Sequence, residues 1–285
     1  MFASFSRGWS LTKTSFRVLK LDKEILLLPI LSAIVMLGII VVGVVFAGTV
    51  GLGLMATEGG GWLFLLALFG FYVLAYFTVL FFNAAVIECA MIRFNGGDPI
   101  VRDGLTKAWS RKGRILQWAI VAATVGIILT MLRQMVRNQE SPMARIVGSI
   151  FVWIAEAAWF VVTFFAMPVL IYQDVGPIDA LKRSWSTVKR SGGEQFVGAF
   201  AVSGLFTLGY LLVFGVGFLL IYFTTVPAIL VLGVGVVLIA ALAVVQSALQ
   251  GILVAAAYKF VEDGRLPDAL ANEVHVVPSP SRPVY

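Results

Sequence analysis

Residues 227–258 read PAILVLGVGVVLIAALAVVQSALQGILVAAAY, a run without one charged side chain. A hydrocarbon core of about 30 Å takes about 20 residues of helix at about 1.5 Å each, so this segment is long enough to cross a bilayer. Its centre, Val231 to Val245, is rich in Val and Gly and would favour a strand in water. In lipid the backbone groups must pair within the segment, which makes it a helix. Working back from this run, five similar stretches lie near 25–54, 62–92, 114–136, 146–173 and 195–222, bounded by charge, Gly or Pro. The expectation is an all-α, polytopic transmembrane bundle of about six helices, with residues 23–260 as the transmembrane domain.

Composition agrees with that reading. The 285 residues are 60% hydrophobic and 13% charged, whereas soluble domains carry about 25% charged residues. The first apolar run begins near Ile25, after a charged segment, and is too long for a signal-peptide core, so it reads as a retained helix. The formal charge of +6 comes from basic residues set beside the apolar runs. Anionic lipid headgroups are therefore the expected counter-charge, and nucleic acid is not. Cys89 is the only cysteine, so no intrachain disulfide forms.

Basic residues also give the expected orientation. Arg133, Arg137 and Arg145 fall on one side of the six spans, and the rest of the 21 Lys and Arg fall on the other. By the positive-inside rule both termini are cytoplasmic, and the setting is the cell inner membrane.

A short phrase recurs: Gly8-Trp9-Ser10, Ala108-Trp109-Ser110 and Ser184-Trp185-Ser186, each followed within four residues by Lys13, Lys112 or Lys189. The flanks Val101, Asp103, Leu105 and Lys107 align with Pro177, Asp179, Leu181 and Arg183, and Pro267-Asp268-Ala269-Leu270 echoes Pro177-Ile178-Asp179-Ala180-Leu181. Three repeats are expected, each an interfacial amphipathic helix followed by a transmembrane hairpin. These helices cover 1–22 and segments near 98–113 and 177–191. In the first, Phe2, Phe5, Trp9, Thr12, Phe16 and Leu19 form one apolar stripe at helical spacing, with Arg7, Lys13, Arg17 and Lys20 on the other faces. Ile178, Leu181, Trp185 and Val188 make the same stripe in the third, and Val101, Leu105 and Trp109 a shorter one in the second. Such helices lie flat in the headgroup layer, with tryptophan at the interface. The expected headgroup contacts are Trp9, Lys13, Arg17, Lys107, Trp109, Lys112, Arg183, Trp185 and Lys189. The alternative is that these segments are basic loops with ordinary tryptophan anchors.

Little in the sequence points to chemistry. The one histidine, His275, lies in a polar tail, 261–285, expected to be disordered. His-based metal sites and Ser-His or Cys-His catalysis are not expected, nor is any cofactor. Gly59-Gly60-Gly61 follows a span and has no nearby Lys, so it reads as a loop and not a phosphate cradle. The remaining signal is polar residues inside spans. Glu156 is the clearest, with Tyr72 and Tyr210 as candidate hydrogen-bond donors to it. Asn83, Glu88, Gln117, Gln246 and Gln250 form a second group, which either lines an inward cavity or ties helices together. Arg133 and Arg137 read as surface anchors at the end of the third span. Pro168 reads as a kink or a hinge in the fourth span. Pairs such as Ala119 with Ala123 and Ala122 with Gly126 allow close helix crossings.

The Trp-Ser-x-x-Lys phrases, the Asp-Pro and Gly-Pro steps before the interfacial segments, and the six-span layout resemble a family of bacterial and archaeal integral membrane proteins of unknown function. More distantly, the hairpin with its amphipathic helix is similar to the membrane domain of some glycerophosphodiester phosphodiesterases. The resemblance implies a six-helix membrane fold, assigns no reaction and carries over no catalytic residue. The expected role is non-enzymatic: membrane organisation or a scaffold that engages anionic lipid, with a homo-oligomer or a membrane-protein partner as further company. The alternative is a small-solute or ion transporter using Glu156 and the inner-half polar group.

Overall fold

The computed structural model describes residues 2–191 and 193–264, apart from the side chains of residues 2–7, 194 and 195. The expected tail, with His275, and the Phe2, Phe5 and Arg7 side chains lie outside the described residues. No strand occurs among the described residues. Six helices are long and apolar enough to cross a membrane: Lys23–Met55, Gly60–Phe94, Lys112–Arg137, Pro142–Gln173, Phe196–Phe223 and Ala228–Asp263. They match the expected runs to within a few residues at each end. Three shorter helices precede the hairpins, at Phe2–Leu21, Val101–Ser110 and Pro177–Ser191.

The fourth span is broken. Its helix runs Pro142–Thr163, stops, and resumes as Ala166–Gln173. Pro168 has no N–H to donate to the carbonyl four residues back, and its ring crowds that carbonyl. The turn at Phe164 and Phe165 frees the Phe165 N–H from the helical ladder. That N–H donates instead to Ser184 Oγ at 3.0 Å in a buried setting. The break is a kink at which the freed Phe165 N–H is paired.

The second, fourth and sixth spans end alike. A residue in left-handed conformation follows each one: Gly96 (φ 82°), Asp174 (φ 50°) and Gly264 (φ 68°). Pro99, Pro177 and Pro267 stand three residues beyond, so the chain leaves each hairpin by the same αL cap followed by proline. Asp174 is the one non-glycine at positive φ among the described residues. A short polar side chain tolerates that region at a cost of about 1 kcal/mol.

The chain divides into two compact units. One comprises Met1–Ile30, Ala85–Gly104 and Lys189–Tyr285, the other Leu31–Ala84 and Leu105–Val188. In the first unit, the Phe2–Leu21 helix packs on the fifth and sixth spans. Gly198 is at the crossing: a Cβ there would stand 2.9 Å from Leu253 Cδ1 and 3.1 Å from the Gly8 carbonyl, so only glycine lets the backbones meet so closely. Ala248, Leu249, Ile252 and Leu253 are buried on the sixth span, whereas Ile229, Leu232 and Val236 on the same helix are at least 60% exposed. In the second unit the third and fourth spans pack together, with Trp118 stacked on Trp159 at 6.0 Å. At Gly126 the near neighbours are side-chain ends and not a helix backbone: a Cβ there would lie 3.0 Å from the hydroxyls of Tyr72 and Tyr76.

Most of the apolar surface of the spans is uncovered; none of the most apolar 18-residue stretch of the sixth span is buried. An exposed apolar belt of this extent requires a lipid environment, because water would draw such surface into aggregation.

Candidate functional site

The three short helices carry the basic and aromatic residues expected at headgroups, but their packing differs from the expected stripe. On the first, Leu11, Thr12, Thr14, Ser15, Val18 and Leu19 are buried, while Trp9 is 46% exposed and Phe16 half-buried. On the third, Ala180, Ser184, Thr187 and Val188 are buried, while Ile178 is exposed. The expected apolar stripe is therefore split, and a face of small and hydroxyl residues turns toward the protein. Small side chains allow close helix contact. The hydroxyls are satisfied in place: Thr12 donates to Gly8 O at 3.2 Å, Ser15 to Leu11 O at 3.0 Å and Thr187 to Arg183 O at 2.9 Å. A buried Ser or Thr that bonds to its own helix carries no orphaned polar group.

This packing gives the repeated phrase one orientation at all three sites. Gly8, Ala108 and Ser184 are buried, and Trp9, Trp109 and Trp185 beside them are exposed by 46%, 62% and 42%. Two cations lie over aromatic rings in the second unit. Lys112 Nζ lies 4.0 Å over the Trp109 ring, and Lys107 Nζ 4.8 Å over the Tyr172 ring. Lys13, Arg17, Arg183 and Lys189 are exposed, and Arg183 donates to Gln173 Oε1 at 2.7 Å. Along the first helix, Trp9, Lys13, Phe16, Arg17 and Lys20 form one wall of a groove of about 510 Å³, whose other wall is Ala201 and Leu205 of the fifth span.

Charged clasps fix the span ends. Arg93 closes on Asp22 with two parallel bonds, Nε to Oδ2 at 2.6 Å and Nη2 to Oδ1, and its Nη2 also reaches Asp98. Asp22 is 7% exposed. In the other unit the left-handed Asp174 receives Arg111 Nη1, and Arg114 Nε at 3.3 Å. These guanidinium groups, Arg111 foremost, hold the Asp174 carboxyl below its ordinary range.

The intramembrane polar residues are placed otherwise than expected. Glu156 Oε1 lies 2.6 Å from Arg133 Nε. The N–H is not aligned on that oxygen, which is buried without a hydrogen bond, so the contact is a charge pairing and not a directed bond. Arg133 is thus a partner and not merely an anchor. Its long stem reaches back along the helix to the only carboxylate on the neighbouring span. Tyr72 does not serve Glu156: its hydroxyl is 3.4 Å from that of Tyr76, one helical turn away. Tyr210 donates to Gln246 Oε1 at 2.8 Å, a bond between the fifth and sixth spans. Asn83, Glu88 and Gln250 are half-buried, and Gln117 is exposed. Among the described residues no cluster of His, Cys, Asp or Glu is arranged to hold a metal.

Six apolar helices with uncovered flanks and three short basic helices define the class: an all-α, multi-pass integral membrane protein. Residues 62–267 match a family of unknown function, DUF6159, and the chain belongs to that family. Neither the curated proteins nor the solved structures give a match, so the more distant similarity to phosphodiesterase membrane domains gains no support.

Proposed function

We propose that this protein is a non-enzymatic membrane organiser that gathers anionic lipid on the face of the membrane bearing its three basic helices. On the orientation expected from the basic residues, that face is cytoplasmic and the membrane is the inner one. The observation that carries the reading is the common orientation of the Trp9, Trp109 and Trp185 phrases, each with its small residue packed inward, its ring exposed, and an exposed lysine, Lys13, Lys112 or Lys189, within four residues. Exposed indole beside Lys and Arg is the chemistry of a headgroup contact: the ring takes the interface and the cations take the phosphates. The shared αL-x-x-Pro exits support three repeats of one unit, each setting such a helix before its hairpin.

The alternative, a small-solute or ion transporter using Glu156 and the inner-half polar group, has less support, since Glu156 pairs with Arg133 and Tyr210 bonds to Gln246. The two readings part in reconstituted liposomes. Spin-labelled phosphatidylglycerol should be immobilised by the protein several-fold more than spin-labelled phosphatidylcholine, and Glu156→Gln should leave proton permeability unchanged. Equal immobilisation of the two lipids would remove the proposal.

A further inference from the structure

We infer that the groove between the Phe2–Leu21 helix and the fifth span binds one anionic phospholipid as a discrete ligand, beyond the general attraction of the three basic helices on which this inference rests. The groove has two chemistries in the places such a ligand needs them. Lys13, Arg17 and Lys20 recur at spacings of four and three, so their charges line one edge of the helix. Phe16, Ala201 and Leu205 supply an apolar floor beside them, and Trp9 closes one end. Among the described residues no carboxylate lines the groove, and Lys13 and Lys20 have no acidic partner.

A volume of about 510 Å³ holds a phosphate headgroup with the first part of an acyl chain and leaves the rest of the chain in the bilayer. The groove is also built on a rigid base. Thr12, which lines it, is 4% exposed and donates to the carbonyls of Gly8 and Gly198, at the close crossing of the Phe2–Leu21 helix and the fifth span. The neighbouring cations are therefore presented from a fixed helix and not from a loop, which lowers the ordering cost of binding. Free phosphate satisfies only the cationic edge; the apolar floor assigns the occupant as a lipid.

Native mass spectrometry of the full chain in detergent, with phosphatidylglycerol or phosphatidylcholine added, tests the assignment. One phosphatidylglycerol should remain bound per chain after the others are stripped, with no such retained phosphatidylcholine. The Lys13→Gln/Lys20→Gln variant should weaken that single event about 30-fold, about 2 kcal/mol at about 1.4 kcal/mol per tenfold. Lys112→Gln/Lys189→Gln should leave it intact. Leu205→Trp, which fills the apolar floor without touching a charge, should also abolish it while circular dichroism stays unchanged. Equal retention of the two lipids, an unaffected Lys13→Gln/Lys20→Gln variant, or full displacement by millimolar inorganic phosphate would each overturn the groove. If the liposome preference persists while the retained lipid is absent, only this inference falls; if both vanish, the functional proposal falls with it.

Discussion

The Arg93–Asp22 pair of one unit and the Arg133–Glu156 pair of the other are built differently. Arg93 grips Asp22 through two parallel hydrogen bonds, with the Asp22 side chain 6% exposed. Arg133 meets Glu156 through one unaligned contact, with the side chains 58% and 33% exposed. The first pair joins the end of the second span to the turn before the first, and its geometry leaves little freedom. The second sits on an outward face four residues from the end of its helix, where Arg133 can slide its charge toward the headgroups. Burial and bidentate geometry, not the mere presence of opposite charges, decide which pair holds the fold.

Arg93→Ala should be the most damaging of the simple tests. It leaves Asp22 buried without its partner, for a loss of about 3–5 kcal/mol, read as a large fall in the thermal unfolding temperature of the detergent-solubilised chain. Gly198→Ala should cost about 1–3 kcal/mol, because the new methyl would press on Leu253 and the Gly8 carbonyl. Ser184→Ala should cost about as much by a different route: the buried Phe165 N–H loses its acceptor at the kink. Calorimetry of both against the parent would show whether packing or hydrogen bonding matters more at the short helices. Glu156→Gln should change stability by about 1 kcal/mol or less. A loss as large as that of Arg93→Ala would erase the contrast between the two pairs.

Acidification gives the mildest test. Asp174 has a folded-state pKa lowered by Arg111 and Arg114, so its contribution is complete above the ordinary aspartate value and is lost as pH falls through the lower folded value. Thermal stability should therefore hold between about pH 8 and pH 5 and drop below about pH 4. Asp174→Asn should flatten part of that drop. Because Asp174 is exposed, the effect should be the smallest of the series.

The six spans were legible in the sequence because length and lack of charge suffice to mark a helix in lipid. The three short helices were also visible, since Trp and Lys recur at helical spacing. What the pattern hid was their facing. Thr12, Ser15, Ser184 and Thr187 count as polar in any amphipathic reading, yet they turn inward: Thr12, Ser15 and Thr187 bond to carbonyls of their own helices, and Ser184 accepts the Phe165 N–H. The pairing of Glu156 with Arg133 was hidden for another reason. Depth along a span is readable, but which faces of two helices meet depends on packing that no single-chain periodicity contains. The Ser184 bond to the kinked fourth span belongs to the same kind of information, although Pro168 had marked where the helix would bend.

The central claim, that the three repeated tryptophans face anionic lipid, is tested most directly by fluorescence quenching. A variant with Trp62, Trp118, Trp153 and Trp159 replaced by Phe keeps Trp9, Trp109 and Trp185 as the only indoles. It would be reconstituted at equal mole fractions of phosphatidylglycerol and phosphatidylcholine, with one or the other brominated high on its acyl chains. The account predicts markedly stronger quenching when the anionic lipid carries the bromine, and little quenching by aqueous iodide. Equal quenching by the two lipids, or dominant quenching by iodide, would contradict it.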